Sequence, residues 1–224
     1  MQGTAPALPA PGPVFAYSGN GSQFHGMARD AMAGSRAFRE AVESADAEMA
    51  PHLGWSVAAA LADGLTAEAL AATEVAQPAL FAVQHGLVAA LAGEGIAPAL
   101  VLGHSVGEVA AALATGMLDL SGAARLIVAR SAAQARTRGK GRMAALNATE
   151  AEAAPLRAAC GPGLEIAARN APRVLTVAGP AEAIARLAVA VRQARLSFVP
   201  LDLDYAFHSA AMDEVEGGAG QSGR

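Results

Sequence analysis

The chain has 224 residues, 53% of them hydrophobic and 16% charged, which excludes an intrinsically disordered polymer and allows one substantial core, or a core with a small lobe. A formal net charge of -4 at pH 7 provides no basic field for nucleic acid or anionic lipid. The lone Cys160 has no partner for an internal disulfide and fits a reducing, cytoplasmic compartment.

Residues 1–13 are rich in Ala and Pro, with neither a basic start nor an apolar run, and read as a linker rather than a signal peptide. Val14 to Tyr17 is a short apolar strand running into the turn-rich loop Ser18-Gly19-Asn20-Gly21-Ser22. Helical patterns follow over Ser35–Met49, Ser56–Ala62 and Thr66–Ala72. Val75 to Gly93 carries no charged side chain over about the length of a membrane span, but Gln77, Gln84 and His85 would be costly in hydrocarbon. It reads as a buried helix with Pro78 in its first turn. Pro98 to Leu102 is a second short strand, Gly107 to Thr115 a helix closed by Gly116, and Ala123 to Arg136 the next helix. Strands alternating with helices argue for an α/β subdomain with a parallel sheet over residues 14–140.

The pattern then changes. Met143–Asn147, Leu164–Arg169, Arg173–Ala178 and Leu196–Leu203 are strand-like, with helices at Glu150–Cys160 and Ala181–Ala194. That order is β-α-β-β-α-β, the ferredoxin-like arrangement, over residues 141–204. Residues 205–224 read as a loop and the start of a helix, ending in a Gly-rich tail.

Gly103-His104-Ser105-Val106-Gly107 matches G-x-S-x-G with an apolar strand before it and a helix after it. The flanking glycines permit the tight turn that lifts a serine hydroxyl clear of the sheet, and the Val106 N–H points where an oxyanion would form. The same five residues would also serve as a plain strand-to-helix turn with Ser105 as a cap. A serine nucleophile needs a base, and His25, His52, His85 and His208 are available. His208, at the junction of the two subdomains, has a modest edge over His85. Arg130 falls three and four residues after Ile127 and Leu126, on an otherwise apolar helix. A guanidinium there must reach water, meet an internal carboxylate, or face a cleft that receives an anion. The Ser18–Gln23 loop lacks the features of a nucleotide-binding loop, no His/Cys cluster has metal-ligand spacing, and no basic patch interleaves with aromatics.

Together these residues resemble the malonyl-CoA:acyl carrier protein transacylases, specifically the acyltransferase domains of modular polyketide synthases, from Val14 to Met212. The family's Gly-Gln-Gly-x-Gln segment appears as Gly19-Asn20-Gly21-Ser22-Gln23, with Asn20 in place of glutamine; Gln77-Pro78-Ala79, Gly103 to Gly107, Arg130-Ser131, Gly141-Arg142-Met143-Ala144-Ala145, Asn170 and Tyr205-Ala206-Phe207-His208 match further motifs in the family's order. The resemblance implies an α/β-hydrolase-like large subdomain and a ferredoxin-like small one. It makes Ser105 the acylated residue and His208 its base. The backbone N–H groups of Asn20 and Val106 form the oxyanion hole, and Arg130 pairs with the substrate carboxylate. Gln77, His104, Asn170, Tyr205 and Phe207 are placed at the substrate pocket. It further implies malonyl-CoA as substrate with no bound cofactor or metal, an acyl carrier protein and neighbouring synthase domains as partners, and neither nucleic acid nor membrane.

Malonyl-type members usually carry His-Ala-Phe-His and methylmalonyl-type members Tyr-Ala-Ser-His; Tyr205-Ala206-Phe207-His208 mixes the two. A phenyl ring at Phe207 leaves less room for an α-methyl group, and Val106 is malonyl-like, so malonyl is the expected unit. Family members continue well past the histidine, so the C-terminal part of the large subdomain is expected to be missing, with an exposed apolar surface in its place. Two other readings stay open: a serine hydrolase such as a thioesterase using the same turn, and an inactive truncated acyltransferase serving as a scaffold.

Overall fold

A computed structural model describes residues 12–216, so the leader and the Gly-rich tail read from the sequence lie mostly outside the described residues. The chain divides into two compact units, Met1–Ala132 and Ala133–Arg224. The division falls inside a helix rather than at residue 140, because the segment after that helix bonds to the second unit: the Gly139 N–H donates to the Asp204 carbonyl at 2.8 Å.

The first unit contains β1 (Val14–Tyr17), α1 (Arg29–Gly34), α2 (Arg36–Leu53), α3 (Val57–Asp63), α4 (Ala67–Leu70), α5 (Thr73–Gly93), β2 (Leu100–Gly103), α6 (Gly107–Ala114) and most of α7 (Leu120–Ala135). β1 and β2 pair in parallel, with Val14 opposite Leu100 and Tyr17 opposite Gly103. α2 buries one stripe, Phe38, Val42, Ala45 and Met49, at helical spacing. Ser35 caps its start and the left-handed Gly54 ends it. α5 is long and apolar enough to cross a membrane by length and composition alone, yet Ala79, Leu80, Phe81 and Ala82 lie in this unit's core. α5 begins at Thr73, so Pro78 sits inside the helix rather than in its first turn and withholds the hydrogen bond that the Glu74 carbonyl would otherwise accept. α1 was not signalled by the sequence: it starts from Ala28 in the left-handed region with no capping side chain. Val14, Leu100 and Leu102, on the β1–β2 sheet, are exposed.

The second unit contains β3 (Arg142–Asn147), α8 (Glu150–Ala159), β4 (Glu165–Ala171), β5 (Val174–Gly179), α9 (Ala181–Gln193), β6 (Ser197–Pro200), a 3-10 turn (Ala210–Met212) and α10 (Asp213–Glu216). Its four strands run β4-β5-β3-β6, antiparallel at every pairing. Alternation along the strands separates two clusters. Ala144, Leu146, Leu175 and Val177 pack with Ile184, Leu187 and Val191 of α9. Met143 and Ala178 pack with Tyr205, Ala206, Phe207 and Met212. A capping box, Thr149 with Glu152, starts α8. β6 ends at Pro200, shorter than the Leu196–Leu203 alternation suggests, although the Leu201 N–H still donates to the Met143 carbonyl of β3 at 3.0 Å.

Candidate active site

Three residues separate the end of β2 from the start of α6, and Ser105 is the middle one. Its φ is 55°, a left-handed conformation that costs a non-glycine residue on the order of 1–2 kcal/mol. Neighbouring backbone imposes it. A Cβ on Gly103 would lie 2.4 Å from the Glu108 Cα, and one on Gly107 would lie 2.3 Å from the Tyr17 carbonyl oxygen. Strand, turn and helix therefore approach more closely than any side chain at those two positions permits. The turn is tied to β1 by the His104 N–H donating to the Tyr17 carbonyl at 2.9 Å, and it enters α6 through Gly107 N–H to His104 O and Glu108 N–H to Ser105 O. Strain held by surrounding structure at a half-buried hydroxyl is the usual mark of a functional position.

The Ser18–Gln23 loop lies against this turn: a Cβ on Gly19 would be 2.9 Å from the His104 Nδ1. The loop is closed on itself by Ser22 Oγ donating to the Gly19 carbonyl at 3.0 Å and by the Gly21 N–H donating to Gln23 Oε1 at 2.8 Å. From α5, Gln84 Nε2 donates to the Ser18 carbonyl at 2.8 Å. Gln84 was read from the sequence only as a polar residue unsuited to a membrane; its spacing of two helical turns from Gln77 was the signal that both face the same structure.

Arg130 settles on the side chains around Ser105. Its Nη2 donates to Ser105 Oγ at 3.1 Å and its Nη1 to Gln77 Oε1 at 2.5 Å. Gln77 is fully buried, and its Nε2 donates in turn to Thr73 Oγ1 at 2.6 Å. Asn20 Nδ2 reaches the same hydroxyl at 3.5 Å. Burial pulls the Arg130 pKa below its ordinary value and the charge of Glu108 acts in the opposite direction; a guanidinium stays cationic regardless. Among the described residues no carboxylate forms an ion pair with Arg130. Of the three fates open to this cation, pairing with an internal acid among the described residues is therefore excluded; the half-buried side chain rests on neutral oxygens. The shared face with Ile127 holds, since Ile127 is buried, whereas Leu126 is 45% exposed and contributes nothing to it.

The second unit carries the other residues read from the sequence. His208 is exposed, with φ 57°, at the end of a loop that is itself well fixed. Ser209 Oγ donates to the Ala206 carbonyl at 2.6 Å and the Ala210 N–H donates to Glu165 Oε1 at 2.9 Å. Tyr205 and Phe207 are buried and stacked, ring centroids 4.8 Å apart at 11°. Asn170 lies where the β4–β5 register shifts and donates from Nδ2 to Thr176 Oγ1 at 2.9 Å. In the first unit, His104 is exposed and acts through its backbone, and Val106 is buried ahead of α6. Of the other histidines, His25 Nδ1 contacts the Leu65 carbonyl at 3.0 Å, and burial lowers the His85 pKa, favouring its neutral form. The first unit thus brings Ser105, Arg130, Gln77 and Asn20 into one hydrogen-bonded group, and the second gathers His208, Tyr205 and Phe207 on one loop.

A strained serine flanked by two glycines, on a turn joining a parallel strand to a helix, defines an α/β domain with an elbow-shaped strand-to-helix turn. The chain belongs to the acyl transferase domain family, whose model matches residues 14–220. It is 37% identical over 204 residues to erythronolide synthase EryA3 of Saccharopolyspora erythraea, covering 89% of this chain and 6% of that protein. It is 38% identical over 215 residues to the mycoketide-CoA synthase of Mycobacterium tuberculosis, covering 96% of this chain and 5% of that protein. Among solved structures it matches a loading acyltransferase from the avermectin modular polyketide synthase with a TM-score of 0.85 and 38% identity, over 91% of this chain and 65% of that one. An acyl carrier protein S-malonyltransferase from Vibrio cholerae matches with a TM-score of 0.75 and 30% identity, over 92% of this chain and 67% of that one. The chain thus spans a small fraction of the multidomain synthases it resembles.

Proposed function

We propose that this chain is a malonyl-selective acyltransferase, carrying malonyl from coenzyme A through an acyl-Ser105 ester to the phosphopantetheine thiol of an acyl carrier protein within a polyketide synthase. The observation that carries this reading is the Arg130 guanidinium, held at the Ser105 hydroxyl by neutral oxygens and in an ion pair with no acid among the described residues, where a malonyl carboxylate would meet it. The first unit is read as the α/β-hydrolase-like large subdomain and the second, with its β4-β5-β3-β6 order, as the ferredoxin-like small one.

In this reading His208 takes the Ser105 proton as Oγ attacks the thioester carbonyl, and the oxyanion rests on the N–H groups of Val106 and Asn20. The C–S bond breaks, and the coenzyme A sulfur leaves with the proton held by the imidazolium. The carrier-protein thiol then attacks the acyl-serine, gives its proton to His208, and the Ser105 C–O bond breaks with return of that proton to Oγ. Arg130 takes up the free carboxylate through two N–H groups, exchanging its neutral partners for a charged one.

Intact-mass measurement after incubation with malonyl-CoA tests this directly. A malonyl adduct is expected on the wild type and none on Ser105→Ala, with transfer to a phosphopantetheinylated carrier protein. Malonate released to water at a rate that the carrier thiol does not raise would mark a hydrolase instead; a folded wild type without adduct would mark an inactive scaffold. Phe207→Ser tests the choice of acyl unit. One methyl group is worth about 1–3 kcal/mol of discrimination, so methylmalonyl use relative to malonyl should rise by roughly tenfold in direct competition. The ring is buried and stacked on Tyr205, so the variant should also lose about 3 kcal/mol of stability, followed by thermal melting. An unchanged competition ratio would refute the steric account.

A further inference from the structure

We infer that Thr73 is a positioning residue that accepts from the Gln77 amide NH2, anchors that buried side chain with its oxygen on Arg130, and thereby holds Arg130 where it discriminates a carboxylated acyl group. The inference rests on the reading of Arg130 as the carboxylate partner. Gln77 is fully buried, so water cannot satisfy either end of its amide. The two orientations of that amide have the same shape and opposite polarity. With Oε1 toward Arg130, the guanidinium has an acceptor; reversed, an NH2 group would face a cation that can only donate. Arg130 therefore selects the orientation with Oε1 toward it, and the buried NH2 end must find an acceptor on the far side. Thr73 stands one helical turn earlier on α5, is 1% exposed, and its Oγ1 lies 2.6 Å from Gln77 Nε2 as an acceptor. Branching at its Cβ restricts the side chain to few rotamers, which fixes where that oxygen sits.

The same oxygen accepts from Asn20 Nδ2, at 3.5 Å. Thr73 thereby joins the loop that carries one oxyanion N–H to the arm that carries the arginine. The Asn20 contact is long and weak. Asn20 Oδ1 is buried with no partner among the described residues, so this contact is the side chain's only hydrogen bond there. The Gln77 arm is the short one, and loss of the Thr73 hydroxyl should act first on acyl selectivity rather than on the chemical step.

The experiment compares Ser105 acylation by malonyl-CoA and by acetyl-CoA in wild type, Thr73→Val and Thr73→Ser, with melting curves for each. Valine keeps the shape and removes the acceptor; serine keeps the acceptor. We expect Thr73→Val to lower the malonyl-to-acetyl rate ratio about tenfold and Thr73→Ser to stay within about threefold of wild type. In a Gln77→Ala background, Thr73→Val should change the ratio no further, because it acts through Gln77. An unchanged ratio in Thr73→Val, or equal loss with both thioesters, overturns the inference. Should the valine variant not fold, Thr73→Ser carries the test: loss of malonyl preference with the hydroxyl retained also overturns it. A wild type that takes no malonyl onto Ser105 ends the proposed function itself, whereas a malonylated wild type with an indifferent Thr73→Val ends only this inference.

Discussion

Replacing Gly107 with alanine is expected to unfold the site and abolish acylation. The added Cβ would meet the Tyr17 carbonyl oxygen at 2.3 Å, the Tyr17 carbonyl carbon at 2.6 Å and the Ser18 carbonyl oxygen at 2.8 Å. All three are backbone, so no side-chain rotation relieves the clash. Either α6, which the elbow enters, retreats from β1, or the loop after β1, which packs on the elbow, moves. Overpacking at a site that cannot yield costs about 4 kcal/mol, a drop of roughly 10 °C in melting temperature for a chain of this length. Gly34→Ala is the matched control. It closes α1, nothing lies within 4 Å of the Cβ it would add, and its melting temperature should equal or slightly exceed that of wild type. A Gly107→Ala protein that melts with wild type and still accepts malonyl would show that strand and helix do not meet as described.

The elbow was legible in the sequence because its cause is local. Two glycines at fixed spacing, an apolar strand before and a helix after, leave few backbone paths, and Ser105 falls in the strained conformation they force. The β-α-β-β-α-β order of the second unit was legible for a similar reason: Met143–Leu146 and Leu175–Ala178 alternate between two clusters, and alternation is a property of the strand itself. What the sequence withheld were long-range pairings. Nothing in the vicinity of Arg130 announces Gln77, 53 residues earlier, or the Ser105 hydroxyl 25 residues before it. The three fates of a lone arginine on an apolar helix could be named from physics, but excluding an internal acid required coordinates. The helix α1 escaped for the opposite reason, having no cap and only six residues on which a period could show. Phe207 is the instructive middle case. The sequence marked it as a pocket residue, and the structure places its ring in the core, stacked on Tyr205, so a substitution meant to test specificity also costs stability.

Arg130→Ala should separate recognition from chemistry. Hydrogen bonds to a charged group contribute about 1.5–3 kcal/mol each, so losing a bidentate carboxylate contact should reduce Ser105 malonylation by roughly a hundredfold relative to acetylation. Acetyl-CoA, with no carboxylate, does not need the guanidinium and should acylate the variant more readily than malonyl-CoA does. If malonyl and acetyl rates fall together, the arginine supports the serine and not the substrate. Arg130→Lys sharpens the point through pH. Burial already lowers the Arg130 pKa, but a guanidinium starts so high that it stays charged throughout the working range, and wild-type selectivity should be flat from about pH 6 to 9. A lysine in the same place feels the same desolvation from a lower starting value of about 10.4. Its ammonium is charged below its depressed pKa and neutral above it, so malonyl preference in Arg130→Lys should be largest at low pH and decline as pH rises, while the wild-type ratio does not move. Competition between malonyl-CoA and acetyl-CoA across that range measures both curves. A flat profile for the lysine variant would mean that the cation at this position never touches the acyl carboxylate.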